Sequence, residues 1–371
     1  MAERTRIVLL AFDGFPFDAF RSTVAPNLWR LGQEGGFAPD GGRSGLPSTT
    51  YPGFASLLTG MGQSKTGIRT TAQRPGAVPG WAGRDRCLVP TIIDAARVAG
   101  LLTAVVMGDH LLQRVLRLDE VAGSWPPLGI VPTRAELDAH GYPTNAAIRP
   151  HVLDSAADRD LDLIFAHFNE TDTLGHDYGP DSPETLACVR EADSIIGELA
   201  DALAPDWDRT IIVVTSDHDM VKRLPLPAID PTSSLHCAGM VDDWIADGGA
   251  AWLRLKVGVD THDAIDRLCS VDGVDGWRWR VPGTLLLLAS PGRVFAAPKI
   301  PLAGIHGSTQ TAKTLAIVGG GHPSVPGIAV SIGERPPRLQ DWGSTVAGLF
   351  DLELPGVDGL DLLAHSVQSI G

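Results

Sequence analysis

The sequence predicts an α/β protein: a doubly wound, mostly parallel sheet with helices on both faces. Three observations carry this. Short apolar runs recur along the chain. Stretches with helical spacing separate them. Acidic, hydroxyl and histidine residues stand just after the runs end, where ligands of such folds gather.

The first run, RIVLLAF (6–12), is apolar throughout, as a strand covered by helices on both faces should be, and it ends at Asp13-Gly14. APNLWRLGQEGG (25–36) has apolar positions at helical spacing and a glycine stop. In LPSTTYPGFASLLTG (46–60), three hydroxyls (Ser48, Thr49 and Thr50) precede a helix with Pro52 near its first turn. A hydroxyl there either caps the helix or meets a phosphate drawn to its positive end. QRPGAVPGWAG (73–83) reads as a surface loop near the site, and TIIDAARVAG (91–100) as a helix before the strand TAVVMG (103–108). LDLIFAHF (161–168) is the next strand, followed by ETDTLGHDYGP, whose Asp172 and His176 share one helical face at i, i+4. SPETLACVREADSIIGELADALA (182–204) opens with a Ser-Pro helix start. TIIVVTS (210–216) ends at Asp217-His218, two polar groups whose burial is costly without a partner. TLAIVGG (314–320) is read as a further parallel strand, shortly after His306 in GIHGS.

Residues 223–302 differ in texture. They begin with the proline-rich LPLPAIDPTSS and continue through AAWLRLKVG, AIDRLCSV, WRWRV and GTLLLLASPG. This is expected to be a small α+β cap insertion, leaving 1–222 and 303–371 as the catalytic core. The aromatic rings of Tyr51, Phe54, Trp277 and Trp279 offer either base-stacking surface or core.

With 371 residues the chain buries a large core, and with 44% hydrophobic residues it reads as an ordinary soluble protein. A net charge of -14 argues against a nucleic-acid polymer as partner. A small phosphorylated ligand remains compatible, because bound cations invert local charge. Cys87, Cys188, Cys237 and Cys269 form no C-x-x-C pair, which fits a reducing compartment and a cytoplasmic location. Asp13 interrupts the N-terminal apolar run, so no signal peptide is read there. No run approaches the roughly 18 apolar residues of a membrane helix, so no membrane is expected as partner.

Carboxylates and imidazoles are ligands for zinc and similar ions where no thiolate is offered. The ordered set Asp13-Gly14, PNLWRLGQEG, TYPGFASLLTG, DTLGHDYGP, SDHDM, GIHGS, STVAGLF and VDGLDLL spans almost the whole chain. It resembles the alkaline phosphatase superfamily, and within it the type I phosphodiesterase/nucleotide pyrophosphatase group. The resemblance implies two divalent ions, usually zinc, although manganese or iron also suits nitrogen and oxygen donors. By motif match one ion would be held by Asp172, His176 and His306. The other would be held by Asp13, Asp217, His218 and the hydroxyl of Thr50. Thr50 matches the family's nucleophile because it directly precedes the aromatic-Pro pair Tyr51-Pro52. The implied activity is metal-dependent hydrolysis of a phosphodiester or nucleotide pyrophosphate through a phospho-threonine intermediate. A phosphomonoesterase, a phosphonate hydrolase and a non-catalytic metal-binding relative are the alternatives on the same core.

Three positions depart from the family pattern. Asp219 replaces the glycine of SDHGM. Gly53-Phe54 replaces Asn-His after the aromatic-Pro pair. TGIRTTAQ places Thr71 or a neighbour where many diesterases carry a phosphoryl-contacting asparagine, with Lys65, Arg69, Lys222 and Arg223 as candidate substitutes. The sulfatase branch is set aside, since no C/S-x-P-x-R motif stands at the nucleophile position.

Overall fold

The computed structural model describes residues 4–71, 86–118, 121, 123–233, 235–281, 284–296 and 301–364. The segment 73–83, expected as a loop, lies outside the described residues.

Seven strands form the main sheet in the order Gly36–Phe37, Ala316–Gly319, Thr210–Ser216, Arg6–Phe12, Leu163–Phe168, Thr103–Met107, Gly123–Trp125. Arg6–Phe12 lies at the centre, parallel to both neighbours, and all seven of its residues are buried. Its side chains alternate between two apolar layers. Ile7, Leu9 and Ala11 face one layer, and Val8, Leu10 and Phe12 face the other. The first layer is covered by helices Thr50–Thr59, Ile92–Val98, Val325–Glu334 and Leu339–Leu349. The second is covered by Pro26–Glu34, Asn145–Ala157 and Pro183–Leu203. The last of these starts as its sequence predicts, with Ser182 accepting the Thr185 N–H at 3.1 Å and proline in the first turn. The expected doubly wound α/β architecture is therefore present.

One strand reverses the expectation. Ala316–Gly319 is antiparallel to Thr210–Ser216, with Ala316 opposite Thr215 and Gly319 opposite Ile212. The chain has just left the His306 loop at the carboxyl edge of the sheet, so it can re-enter only by running back toward the other edge.

A second sheet, of four antiparallel strands, contains Val241–Asp247, Ala250–Leu255, Val274–Val281 and Thr284–Ala289. Helix Thr261–Cys269 packs on it around Leu253, Leu268, Leu285 and Leu287.

Polar anchors fix the sheet's opposite, amino edge. Arg6 is buried and donates from Nη2 to the carbonyls of Ser155, Ala156 and Asp158. Asp206 is equally buried and pairs with Arg159 at 2.5 Å, Arg209 at 3.2 Å and Arg6 at 3.4 Å. The Arg159 hydrogen bonds and then Arg209 hold the Asp206 carboxyl down at about 2. A carboxyl depressed in the folded state stabilises the fold above its unfolded pKa, and loses that stabilisation as pH falls through the folded value. A shift of this size corresponds to about 2 kcal/mol. Asp206→Asn should therefore flatten the acid limb of the stability curve between about pH 4 and pH 2, read by urea melts.

Candidate metal centre

Register places the site. Phe12 is level with Phe168 on one side and Ser216 on the other, so Asp13, Asn169 and Asp217 leave the sheet together. The Asp13 N–H donates to the Phe168 carbonyl at 2.8 Å, and the Asp217 N–H to the Phe12 carbonyl at 3.3 Å. Gly14 follows at φ +59°, and a Cβ there would stand 2.7 Å from Asp172 Oδ1. Helix Glu170–Tyr178 brings Asp172 and His176 over this edge, and the Gly304–Ile305 segment delivers His306.

The predicted ligands fall into two groups. Asp172, His176 and His306 form one; Asp13, Asp217 and His218 form the other. The parallel His218 and His306 rings, 3.8 Å apart, join them. Thr50 lies beside the second group, with Oγ1 3.3 Å from Asp13 Oδ1 and 3.5 Å from His218 Nε2. The two rival hydroxyls turn elsewhere. Ser48 bonds the Ser308 carbonyl and Thr311, while Thr49 bonds Asp247.

The donor chemistry fits a pair of cations. His176 Nδ1 meets the Gly304 carbonyl at 2.9 Å, His218 Nδ1 the Asp219 carbonyl at 3.1 Å, and His306 Nδ1 the Ser48 carbonyl at 3.2 Å. A carbonyl only accepts, so each Nδ1 carries the proton and each Nε2 keeps a bare lone pair. Two such lone pairs, on His176 and His306, face each other at 3.1 Å, an arrangement a cation between them would reconcile. Asp172 Oδ1 and Asp217 Oδ2 are buried with no hydrogen-bond partner. Burial first, then the neighbouring carboxylates, drives the Asp13 and Asp217 carboxyls well above the usual range. Burial holds the His218 imidazole well below its usual value. The all-nitrogen-and-oxygen set accepts zinc, manganese or iron, and nothing in it singles out one.

The departures have structural explanations. A Cβ at Gly53 would come within 3.0 Å of Asp217 Cβ, so glycine lets the Thr50–Thr59 helix press against the strand end. Tyr51 and Phe54 are fully buried, which makes them core rather than base-stacking surface. Asp219 accepts the backbone N–H groups of Met220 at 2.7 Å and Phe17 at 3.1 Å, and burial raises its carboxyl to about 6. Thr71 Oγ1 accepts the Tyr51 N–H at 3.2 Å, at the start of the helix that carries Thr50. Lys65 pairs with Asp358 and Lys222 with Asp181.

Two residues beside the site were not singled out from the sequence. Asp247 ends a strand of the second sheet, and its Oδ2 accepts from Thr70 Oγ1 at 2.6 Å, Thr71 N at 2.9 Å and Thr49 Oγ1 at 3.2 Å. It thereby ties the second sheet to both segments flanking the Thr50 hydroxyl. Asp247→Ala should cost about 3 kcal/mol of stability and lower turnover roughly 10- to 100-fold with metal content unchanged. Asp247→Asn keeps an accepting oxygen and should recover most of both, as thermal melts and steady-state kinetics would read. The other residue is His167, fully buried in the strand Leu163–Phe168 beside the central one. Its only signal was an imidazole within an otherwise apolar run.

A profile of the type I phosphodiesterase/nucleotide pyrophosphatase family matches residues 7–266. Human ectonucleotide pyrophosphatase/phosphodiesterase family member 7 is 28% identical over 233 residues, covering 58% of this chain and 48% of that protein. The chain thus spans about half the length of the curated relatives it matches. Murine ectonucleotide pyrophosphatase/phosphodiesterase 5 superposes with a TM-score of 0.68 at 18% identity, over 95% of this chain and 97% of that one. Phosphonoacetate hydrolase from Sinorhizobium meliloti 1021, bound to phosphonoformate, gives 0.70 at 20% identity, over 94% and 96%. The fold is that of the alkaline phosphatase superfamily. Within it, the chain belongs to the type I phosphodiesterase/nucleotide pyrophosphatase family.

The comparisons also correct one expectation. The human relative and the murine structure are ectonucleotide enzymes by name, which overturns the cytoplasmic assignment. That assignment leaned on the lack of a C-x-x-C pair, and three of the four thiols are simply buried in the fold. No helix among the described residues is long and apolar enough to cross a membrane.

Proposed function

We propose that this chain is a metal-dependent hydrolase that cleaves a phosphodiester or nucleotide pyrophosphate, with Thr50 as nucleophile. The observation that carries this reading is the position of the Thr50 hydroxyl, beside one ligand group and joined to the other through the stacked His218 and His306 rings. Bound divalent ions, zinc by family precedent, would supply Lewis-acid stabilisation of phosphoryl oxygens and lower the pKa of a bound hydroxyl or water. Asp172, His176 and His306 would hold one, and Asp13, Asp217 and His218 the other.

In the first step Thr50 Oγ1 forms a bond to phosphorus, the bond to the leaving oxygen breaks, and the Thr50 proton passes to solvent, from which the leaving oxygen takes one up. Asp13 Oδ1 accepts from the Thr50 hydroxyl in the resting site and so orients it before attack. Water then attacks the phospho-threonine, restoring the hydroxyl and releasing the phosphorylated product. Residues 223–302 act as the cap that shapes the leaving-group side, attached to the nucleophile segment through Asp247 and through Trp252 Nε1, which donates to the Arg69 carbonyl at 3.1 Å.

The likeness to phosphonoacetate hydrolase supports a second reading, cleavage of a carbon–phosphorus bond. One substrate panel separates them: bis-p-nitrophenyl phosphate, p-nitrophenyl phosphate and phosphonoacetate, each with added zinc or manganese. Preference for the diester is the expected result. Preference for the monoester makes the protein a phosphatase, and turnover of phosphonoacetate alone makes it a phosphonate hydrolase. Loss of all three in metal-loaded protein would overturn the catalytic reading.

A further inference from the structure

His167 is a fourth histidine at this site, and its ring is wired in the opposite sense. It stands level with Ala11 in the central strands, with Nε2 3.5 Å from Asp13 Oδ2. Its Nδ1 accepts the backbone N–H of Asp109 at 3.2 Å. A neutral imidazole that accepts on Nδ1 carries its proton on Nε2. That buried N–H has no hydrogen-bond partner. The three ligand histidines present a bare Nε2, whereas His167 presents a donor. Phe54 holds the ring from the side, edge-on with centroids 4.5 Å apart.

We propose that His167 is a positioning residue that decides which oxygen of Asp13 binds the metal. Its Nε2–H engages Asp13 Oδ2 and leaves Oδ1 as the coordinating atom. Oδ1 already faces the rest of that group, 3.4 Å from His218 Nε2 and 3.3 Å from Thr50 Oγ1. The Asp13 main chain is pinned, since its N–H bonds Phe168 and its carbonyl accepts from Thr171 Oγ1 at 2.6 Å. Only rotation of the carboxylate remains, and closing the Nε2 contact to a full hydrogen bond needs a shift of about 0.5 Å. A partner that fixes a ligand in one orientation typically contributes 10- to 100-fold in metal affinity. The inference rests on the two-metal reading of Asp13, Asp217 and His218.

The test pairs two measurements. Zinc is titrated in competition with a chromophoric chelator into the wild type, His167→Phe and His167→Gln. Phenylalanine keeps the ring's contact with Phe54 but removes the donor, while glutamine returns an N–H at a similar reach. The expected result is two sites in the wild type, with one of them weakened 10- to 100-fold in His167→Phe and largely recovered in His167→Gln. Two unchanged sites in a folded His167→Phe would overturn the role of His167 and leave the metal centre standing. No zinc bound by the wild type would instead remove the metal centre, and this inference with it. Nitrogen-15 ring shifts of the wild type give the second readout, independent of how the variants fold. An Nε2-protonated His167 is expected, and an Nδ1-protonated ring would refute the proposal.

Discussion

Thr50→Ala should abolish turnover of a phosphodiester, with a fall on the order of 10⁴- to 10⁶-fold, while both metal sites still fill. Of the three consecutive hydroxyls, Thr50 is the one beside a ligand group. Ser48 and Thr49 are committed to Ser308, Thr311 and Asp247. Their loss should perturb the geometry of the segment but leave a nucleophile in place, so Ser48→Ala and Thr49→Ala should retain far more activity. The fold should barely notice Thr50→Ala, because the Thr50 hydroxyl bonds Asp13 and His218, side chains outside the helix it begins. Steady-state kinetics with metal analysis of each variant decides the matter. A Thr50→Ala protein that still turns over, beside an inactive Thr49→Ala protein, would move the nucleophile by one residue.

Stripping the metal ions should have the second largest effect, eliminating turnover and lowering the thermal midpoint. The two facing Nε2 lone pairs, 3.1 Å apart, and the crowded buried carboxyls of Asp13 and Asp217 are the reason. Without cations these groups repel or must bind protons, and both outcomes oppose the folded geometry. A site held at a thousand times its dissociation constant adds about 4 kcal/mol. For two sites in a chain of this length the midpoint should move on the order of 10 °C. Calorimetry with chelator, then with zinc or manganese restored separately, measures this and identifies the preferred ion. An unchanged midpoint and undiminished turnover would refute the metal dependence.

Much of the site was legible because its pieces are local. Asp13 and Asp217 end apolar runs, and parallel strands of a covered sheet deliver their carboxyl ends to one edge. Asp172 and His176 share a helical face at any register. His306 lacks such a local signal and was placed by family order alone. The cytoplasmic assignment failed for a related reason, since it was read from cysteine spacing, and Cys87, Cys188 and Cys237 are buried in the fold.

The sequence by itself determined the alternation of strands and helices, the fold class and the chemical identity of the candidate ligands. Hydrophobic period and residue type are properties of neighbours along the chain. Only the tertiary structure decided the direction of Ala316–Gly319, the separation of Thr50 from Ser48 and Thr49, and the tautomers that leave a bare Nε2 on three candidate-ligand histidines and a donor on His167. The same holds for Asp247, which reaches Thr49 across 198 residues of chain. Each depends on which carbonyl or N–H another element brings within about 3 Å, and that is fixed by packing between elements distant in sequence.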